Sequence, residues 1–182
     1  MISPAFNRPI PFAFALAIAL SLSAVAAPSP APPPGYNVHL VQETKSGRLW
    51  RGGAPRKDTL EALAASAKKR HVTVTLLDLR TPANADDKSG KAGRLSPAQE
   101  KALCIKLGLR YEPISALGAK LTDQISQALT TGDAYLHCMY GVNRTGYATA
   151  RYACAAQVHV DTAGLGKHDW EQGYAHQRRI KH

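Results

Sequence analysis

Acidic residues are scarce. Asp and Glu number 13 against 23 Lys and Arg, and the formal net charge is +10 at pH 7. That balance favours anionic partners (phosphoesters, nucleic acid, acidic lipid headgroups) without choosing among them. Cysteine is scarce too: Cys104, Cys138 and Cys154 are too few for a disulfide-dense scaffold. The chain has no Cys-x-x-Cys and no His-Glu-x-x-His, and His159, His168, His176 and His182 show no helical pairing. No metal and no cofactor is therefore expected. A second long apolar run is also missing, so no membrane span is expected in the mature chain.

The one apolar run, Phe12 to Val25, follows a short start with a single charge, Arg8. It is shorter than the ~20 residues a span needs. Ala24-Val25-Ala26 supplies small residues at cleavage spacing, so residues 1–26 are expected to be a signal peptide. Export to a periplasmic or extracellular space follows. Residues 27–35 are Pro-rich and read as an extended tether. Residues 36–182 are long enough for one domain with its own core.

Within that domain, short β-type and helical patterns alternate. Val38 to Val41 and Leu49-Trp50 flank a turn at Ser46-Gly47 and read as a strand pair. Asp58 is placed to cap a helix carrying Leu60, Leu63, Ala64 and Ala67 on one face. Val72 to Arg80 is the clearest strand. A polar loop over 81–94 leads to Ser96-Pro97-Ala98-Gln99, a helix start, and Gly108 stops that helix. Leu109 to Ile114 is strand-like, and Leu121, Ile125 and Leu129 mark another helix before Gly132. Beyond Gln157 the pattern fades, with a short helix expected over Asp169 to Ala175. This alternation argues for a single-domain α/β fold: a mostly parallel sheet with helices on both faces.

The chemistry concentrates in His137-Cys138-Met139-Tyr140-Gly141-Val142-Asn143-Arg144-Thr145-Gly146. A strand precedes this stretch and an alanine-rich helix follows it. A sharp strand-to-helix turn aims backbone N–H groups at one point on the positive end of a helix dipole, where a phosphate fits. Arg144 can add a two-pronged charged hydrogen bond. The same field favours a thiolate at Cys138, a nucleophile placed beneath the bound phosphoryl group.

The stretch matches His-Cys-x5-Arg-[Ser/Thr]-Gly, the signature of the cysteine-dependent phosphatases, and the chain resembles the protein-tyrosine and dual-specificity branch from about Leu49 to Tyr174. The resemblance implies a dual-specificity phosphatase-like fold and hydrolysis of phosphomonoesters through a cysteinyl phosphate. It gives Cys138 as nucleophile and Arg144 as the ligand of the phosphoryl oxygens. Thr145 eases departure of the sulfur, and His137 orients the loop. Residues Met139, Tyr140, Gly141, Val142, Asn143 and Arg144 cradle the phosphate. Asp78-Leu79-Arg80 resembles a central-strand segment of that family, where a structural ion pair is expected of Asp78. The partner implied is a phosphotyrosine-like or other anionic phosphoester; nucleic acid is not expected. An inositol-phosphate, phosphoinositide or polyphosphate phosphatase is the alternative, as is a phosphate-binding module with weak turnover.

One family feature is missing. The usual general-acid aspartate would fall in the loop near Arg110 to Lys120, and no aspartate stands there. Ala116-Leu117-Gly118 occupies the place. Asp123 is the nearest later candidate, and a helix start explains it more simply. Cys104 and Cys154 could pair as a disulfide that spares Cys138, or could both be small buried hydrophobes.

Overall fold

The computed structural model describes residues 31–81 and 93–180. The expected signal peptide and the start of the tether lie outside the described residues, as does most of the polar loop after Arg80. Five strands form one sheet, in the order β1-β2-β5-β3-β4. β1 (His39–Glu43) and β2 (Arg48–Gly53) are the expected antiparallel hairpin. Thr44 closes its turn by accepting at its Oγ1 from the N–H groups of Ser46 and Gly47. β3 (Thr73–Asp78), β4 (Arg110–Pro113) and β5 (Gly132–Cys138) join in parallel, with β5 between β2 and β3.

Among the described residues five helices cover the two faces: α1 (Lys57–Arg70), α2 (Pro97–Leu107), α3 (Leu121–Thr131), α4 (Asn143–Ala156) and α5 (Lys167–Ile180). Side-chain alternation along each strand divides the core. Val74, Leu76 and Tyr135 pack with Leu60, Leu63 and Cys104 of α1 and α2. Leu77, Ala134, Leu136 and Cys138 pack with Ile125, Leu129, Ala148 and Tyr152 of α3 and α4. Each fully buried leucine of this kind contributes about 2 kcal/mol.

Several boundaries move. α1 begins at Lys57, after an extended Arg56, so Asp58 is not the cap; it lies in the first turn and accepts from the Thr59 N–H at 2.8 Å. α2 starts as its capping box requires, with Ser96 and Gln99 bonded reciprocally, and ends on Gly108 at φ 72°. β5 starts at Gly132, directly after α3. α5 is a full 14-residue helix rather than a short one. Its Gly173 allows that length to dock on α4: a Cβ there would stand 2.3 Å from the Tyr147 carbonyl oxygen.

All three cysteines are free. Cys104 and Cys154 sit on α2 and α4, which cover opposite faces of the sheet, so the disulfide weighed from the sequence is not formed. Burial, with the Glu100 and Asp78 carboxylates, pushes the Cys104 thiol up to about 12, which leaves it unreactive. Among the described residues no helix is long and apolar enough to cross a membrane.

Candidate active site

β5 ends at Cys138, at the carboxyl edge of a central parallel strand, where open α/β sheets place ligands. Cys138 is buried on the α3/α4 face of the sheet. The chain then turns through Met139 to Val142 into α4, whose first residue is Asn143. No side chain caps this helix, so its first N–H groups face the turn. The N–H groups of Tyr140, Gly141 and Val142 have no acceptor among the described residues. The carbonyls of Met139 and Gly141 are already used: they accept from Ala54 N–H at 3.1 Å and Asn37 Nδ2 at 2.8 Å. The turn therefore offers donors. Gly141 makes it possible, since its φ is 70° and a Cβ would meet the Gly52 carbonyl carbon at 2.4 Å.

Arg144 lies one residue into α4, and its Nη1 donates to the Leu79 carbonyl at 3.1 Å. Thr145 is fully buried and its hydroxyl has no hydrogen-bond partner, so the bond to the Cys138 sulfur is not made in this state. Tyr140 is 45% exposed at the rim.

His137 points the other way. Strand alternation puts it on the α1/α2 face, beneath the loop rather than in it. There its Nε2–H donates to Glu100 Oε1 at 2.9 Å, and its Nδ1 lies 3.8 Å from Asp78 Oδ1. Burial pulls the imidazole down, but the Glu100 and Asp78 carboxylates more than offset it, and the net direction is upward. Asp78 is the structural ion-pair partner expected of it. Its carboxylate accepts from Arg80 Nε at 2.9 Å and from the Tyr111 hydroxyl at 2.7 Å. Burial raises Asp78, yet His137 and Arg80 more than offset that and hold it below the ordinary carboxylate range. Arg80 also contacts Glu100, so one guanidinium bridges both acids. Asp78, Glu100 and His137 come close enough together to suggest a metal, but Arg80 already supplies the cation between the carboxylates.

Glu100 was not anticipated. A sequence signal exists: it lies four residues before Cys104 on the buried face of α2. The segment after α4 was not anticipated either. Arg51, fully buried in β2, donates to the carbonyls of Asp161 and Ala163 at 3.0 and 2.6 Å. Burial lowers its guanidinium to about 10, against a smaller upward pull from Asp161. Asn37 bridges the Gly141 and Gly164 carbonyls, both at 2.8 Å. Asn143 donates to Asp169 Oδ2 at 2.8 Å. Residues 161–169 thus brace the 139–142 turn and the start of α4 from the side.

Among the described residues no carboxylate takes the expected acid position. Ala116 and Gly118 turn their carbonyls to Arg151 Nη1 at 2.9 and 3.0 Å, which pins that loop and leaves Leu117 72% exposed. Glu112 is exposed on β4. Asp123 is exposed in the first turn of α3, with no hydrogen bond or ion pair among the described residues.

Solved structures with this architecture settle what the fold is. A kinase-associated phosphatase, solved with its catalytic-site cysteine substituted by serine, aligns at a TM-score of 0.55 and 10% identity. The alignment covers 81% of this chain and 96% of that one. A DUF442 phosphatase from Shewanella putrefaciens CN-32 aligns at 0.51 and 14% identity, over 78% and 91%. The chain has the cysteine-dependent phosphatase fold. Neither a protein-family model nor a curated protein matches the sequence. Cys138 ends the central strand β5, and Arg144 lies in the first turn of the helix that follows.

Proposed function

We propose that the protein is a phosphomonoester hydrolase acting through a cysteinyl phosphate. One observation carries the reading: Cys138 lies at the base of a turn of unpaired N–H groups that runs into an uncapped helix carrying Arg144. The turn binds the phosphoryl group of the substrate, and Arg144 holds its equatorial oxygens. Cys138 Sγ attacks phosphorus, and the ester P–O bond breaks with its electron pair on the leaving oxygen. Water then attacks phosphorus, releasing inorganic phosphate and the thiolate, to which the buried Thr145 hydroxyl is free to donate.

With no aspartate in the loop from Arg110 to Lys120, the leaving group departs as an anion. Phenols, with a pKa of about 10, leave far more readily than serine or threonine alkoxides. Aryl phosphates should therefore turn over well above phosphoserine. Comparable rates would point to a proton donor, with Asp123 the first to substitute.

The test is hydrolysis of p-nitrophenyl phosphate by the chain from Ala27, under reducing conditions, beside Cys138→Ser. Turnover that disappears in the variant supports the reading. No turnover, with phosphate-analogue binding that depends on Arg144, would favour a binding module. Export is a separate proposal. It rests on the sequence of residues 1–26, and cell fractionation with amino-terminal sequencing tests it.

A further inference from the structure

Among the described residues Arg94 has no ion pair and no hydrogen-bond acceptor, and its Nε is buried. The side chain is nevertheless fixed. Its guanidinium carbon lies 5.1 Å from the ring centroid of Tyr36 and 5.1 Å from that of Tyr140. The backbone beside it is tied down as well: Leu95 N–H donates to the Pro55 carbonyl at 3.2 Å, and its own carbonyl accepts from Arg80 Nη1 at 2.7 Å. Stacking engages the faces of the planar cation and leaves its N–H groups in the plane, where no described residue accepts from them.

The location gives this a use. Tyr140 belongs to the phosphate turn, two residues after Cys138, and both rings remain about half exposed. Arg56, exposed before α1, reaches the same corner, since a Cβ on Gly93 would stand 3.9 Å from its Nε. A second cationic centre thus stands beside the phosphate turn, distinct from Arg144. A guanidinium held in one orientation, with no acceptor among the described residues, suits a phosphate oxygen pair, because little side-chain freedom remains to be lost on binding.

We propose that the Tyr36–Arg94–Tyr140 stack is a subsite for a second phosphate group on the substrate, so that bisphosphorylated small molecules are preferred over monophosphates. The proposal rests on the phosphatase reading of Cys138 and names a substrate class for that site. A charge-assisted contact of this kind is worth about tenfold or more in kcat/KM.

The experiment compares phenyl phosphate with catechol, resorcinol and hydroquinone bisphosphates, which share its aryl leaving group and vary the distance to the second phosphate. Wild type should favour at least one isomer by about tenfold over phenyl phosphate. In Arg94→Ala that selectivity ratio should fall towards one, and Arg94→Lys should restore part of it. The same compounds are titrated by calorimetry onto Cys138→Ser and onto Cys138→Ser/Arg94→Ala, so binding reports on the subsite whether or not turnover occurs. A ratio near one in wild type, or a ratio that Arg94→Ala leaves unchanged in both rates and affinities, overturns the subsite. Loss of turnover with the binding ratio intact would instead contradict the phosphatase reading alone.

Discussion

Arg144 and Lys are not equivalent at the start of α4. The guanidinium is a planar fork that can hold two phosphoryl oxygens while its Nη1 stays on the Leu79 carbonyl. A lysine ammonium is a single point and cannot do both. Arg144→Lys should therefore fold normally and lose about 100-fold in kcat, the scale for one preorganised donor. A p-nitrophenyl phosphate assay beside a thermal melt checks this; a loss below about threefold would deny Arg144 its role in the transition state. Gly141 matters for a different reason. Alanine there would strain a residue at φ 70° and drive its Cβ into the Gly52 backbone. The turn must shift, so Gly141→Ala should cost about 100-fold in activity. Phosphate-analogue affinity should weaken with it. At this scale the site was legible. The turn needs a thiol, a glycine and an arginine at fixed offsets along one contiguous stretch, so the sequence carries its geometry directly. Glu100 was not legible in that way. A glutamate early in a helix normally faces water, and only the arrival of His137 and Arg80 from other segments makes a buried one tolerable.

Two elements meet at that glutamate. α2 is bolted to the carboxyl ends of β3 and β5 through Glu100, Arg80, Asp78 and His137, so the strand that ends in Cys138 is held from behind by charge. Removing one partner leaves other buried charges uncompensated, at a cost of about 3–5 kcal/mol. Glu100→Gln should lower the melting temperature by roughly 10 °C at neutral pH. The pH dependence has a definite sign. His137 is raised in the folded state, so its contribution is present in full below its ordinary value of 6.5 and is lost as pH rises through the folded value. Asp78 is lowered, so its contribution is present above 3.8 and is lost as pH falls through its folded value. Glu100 is a main cause of the His137 rise. The gap between wild type and Glu100→Gln should therefore be widest where His137 is charged and should narrow at alkaline pH. Melting curves across pH check this, and a gap that widens with pH would contradict it. The strands and the helices with clear apolar faces were readable, because period-two and helical spacing survive in α1, α3 and β3. α5 was under-read. It is polar, and Gly173 looks like an interruption until α4 is beside it.

Across the whole molecule, the carboxyl edge of the sheet collects the functional parts from distant segments. Cys138 ends β5, Leu79 follows β3, and Asn37 and Arg51 come from the amino-terminal hairpin region. Asn37 and Arg51 secure residues 161–164, and Asp169 holds Asn143 beside them. These long-range ties were invisible in the sequence, since each is a single polar residue in an unremarkable setting. The excess of positive charge, +10 over the chain, would suit the proposed phosphoester site. Arg94 and Arg56 beside the turn give part of that charge a local purpose.

The measurement that bears most directly on this account is acid-quenched trapping of the reaction with an aryl phosphate, followed by mass analysis of the peptide containing Cys138. The expected result is a single phosphoryl adduct on Cys138, absent from Cys138→Ser and more abundant when Thr145→Ala slows hydrolysis of the intermediate. Turnover with no adduct on Cys138 in either the wild type or Thr145→Ala, or an adduct on another residue, would contradict the cysteinyl-phosphate mechanism.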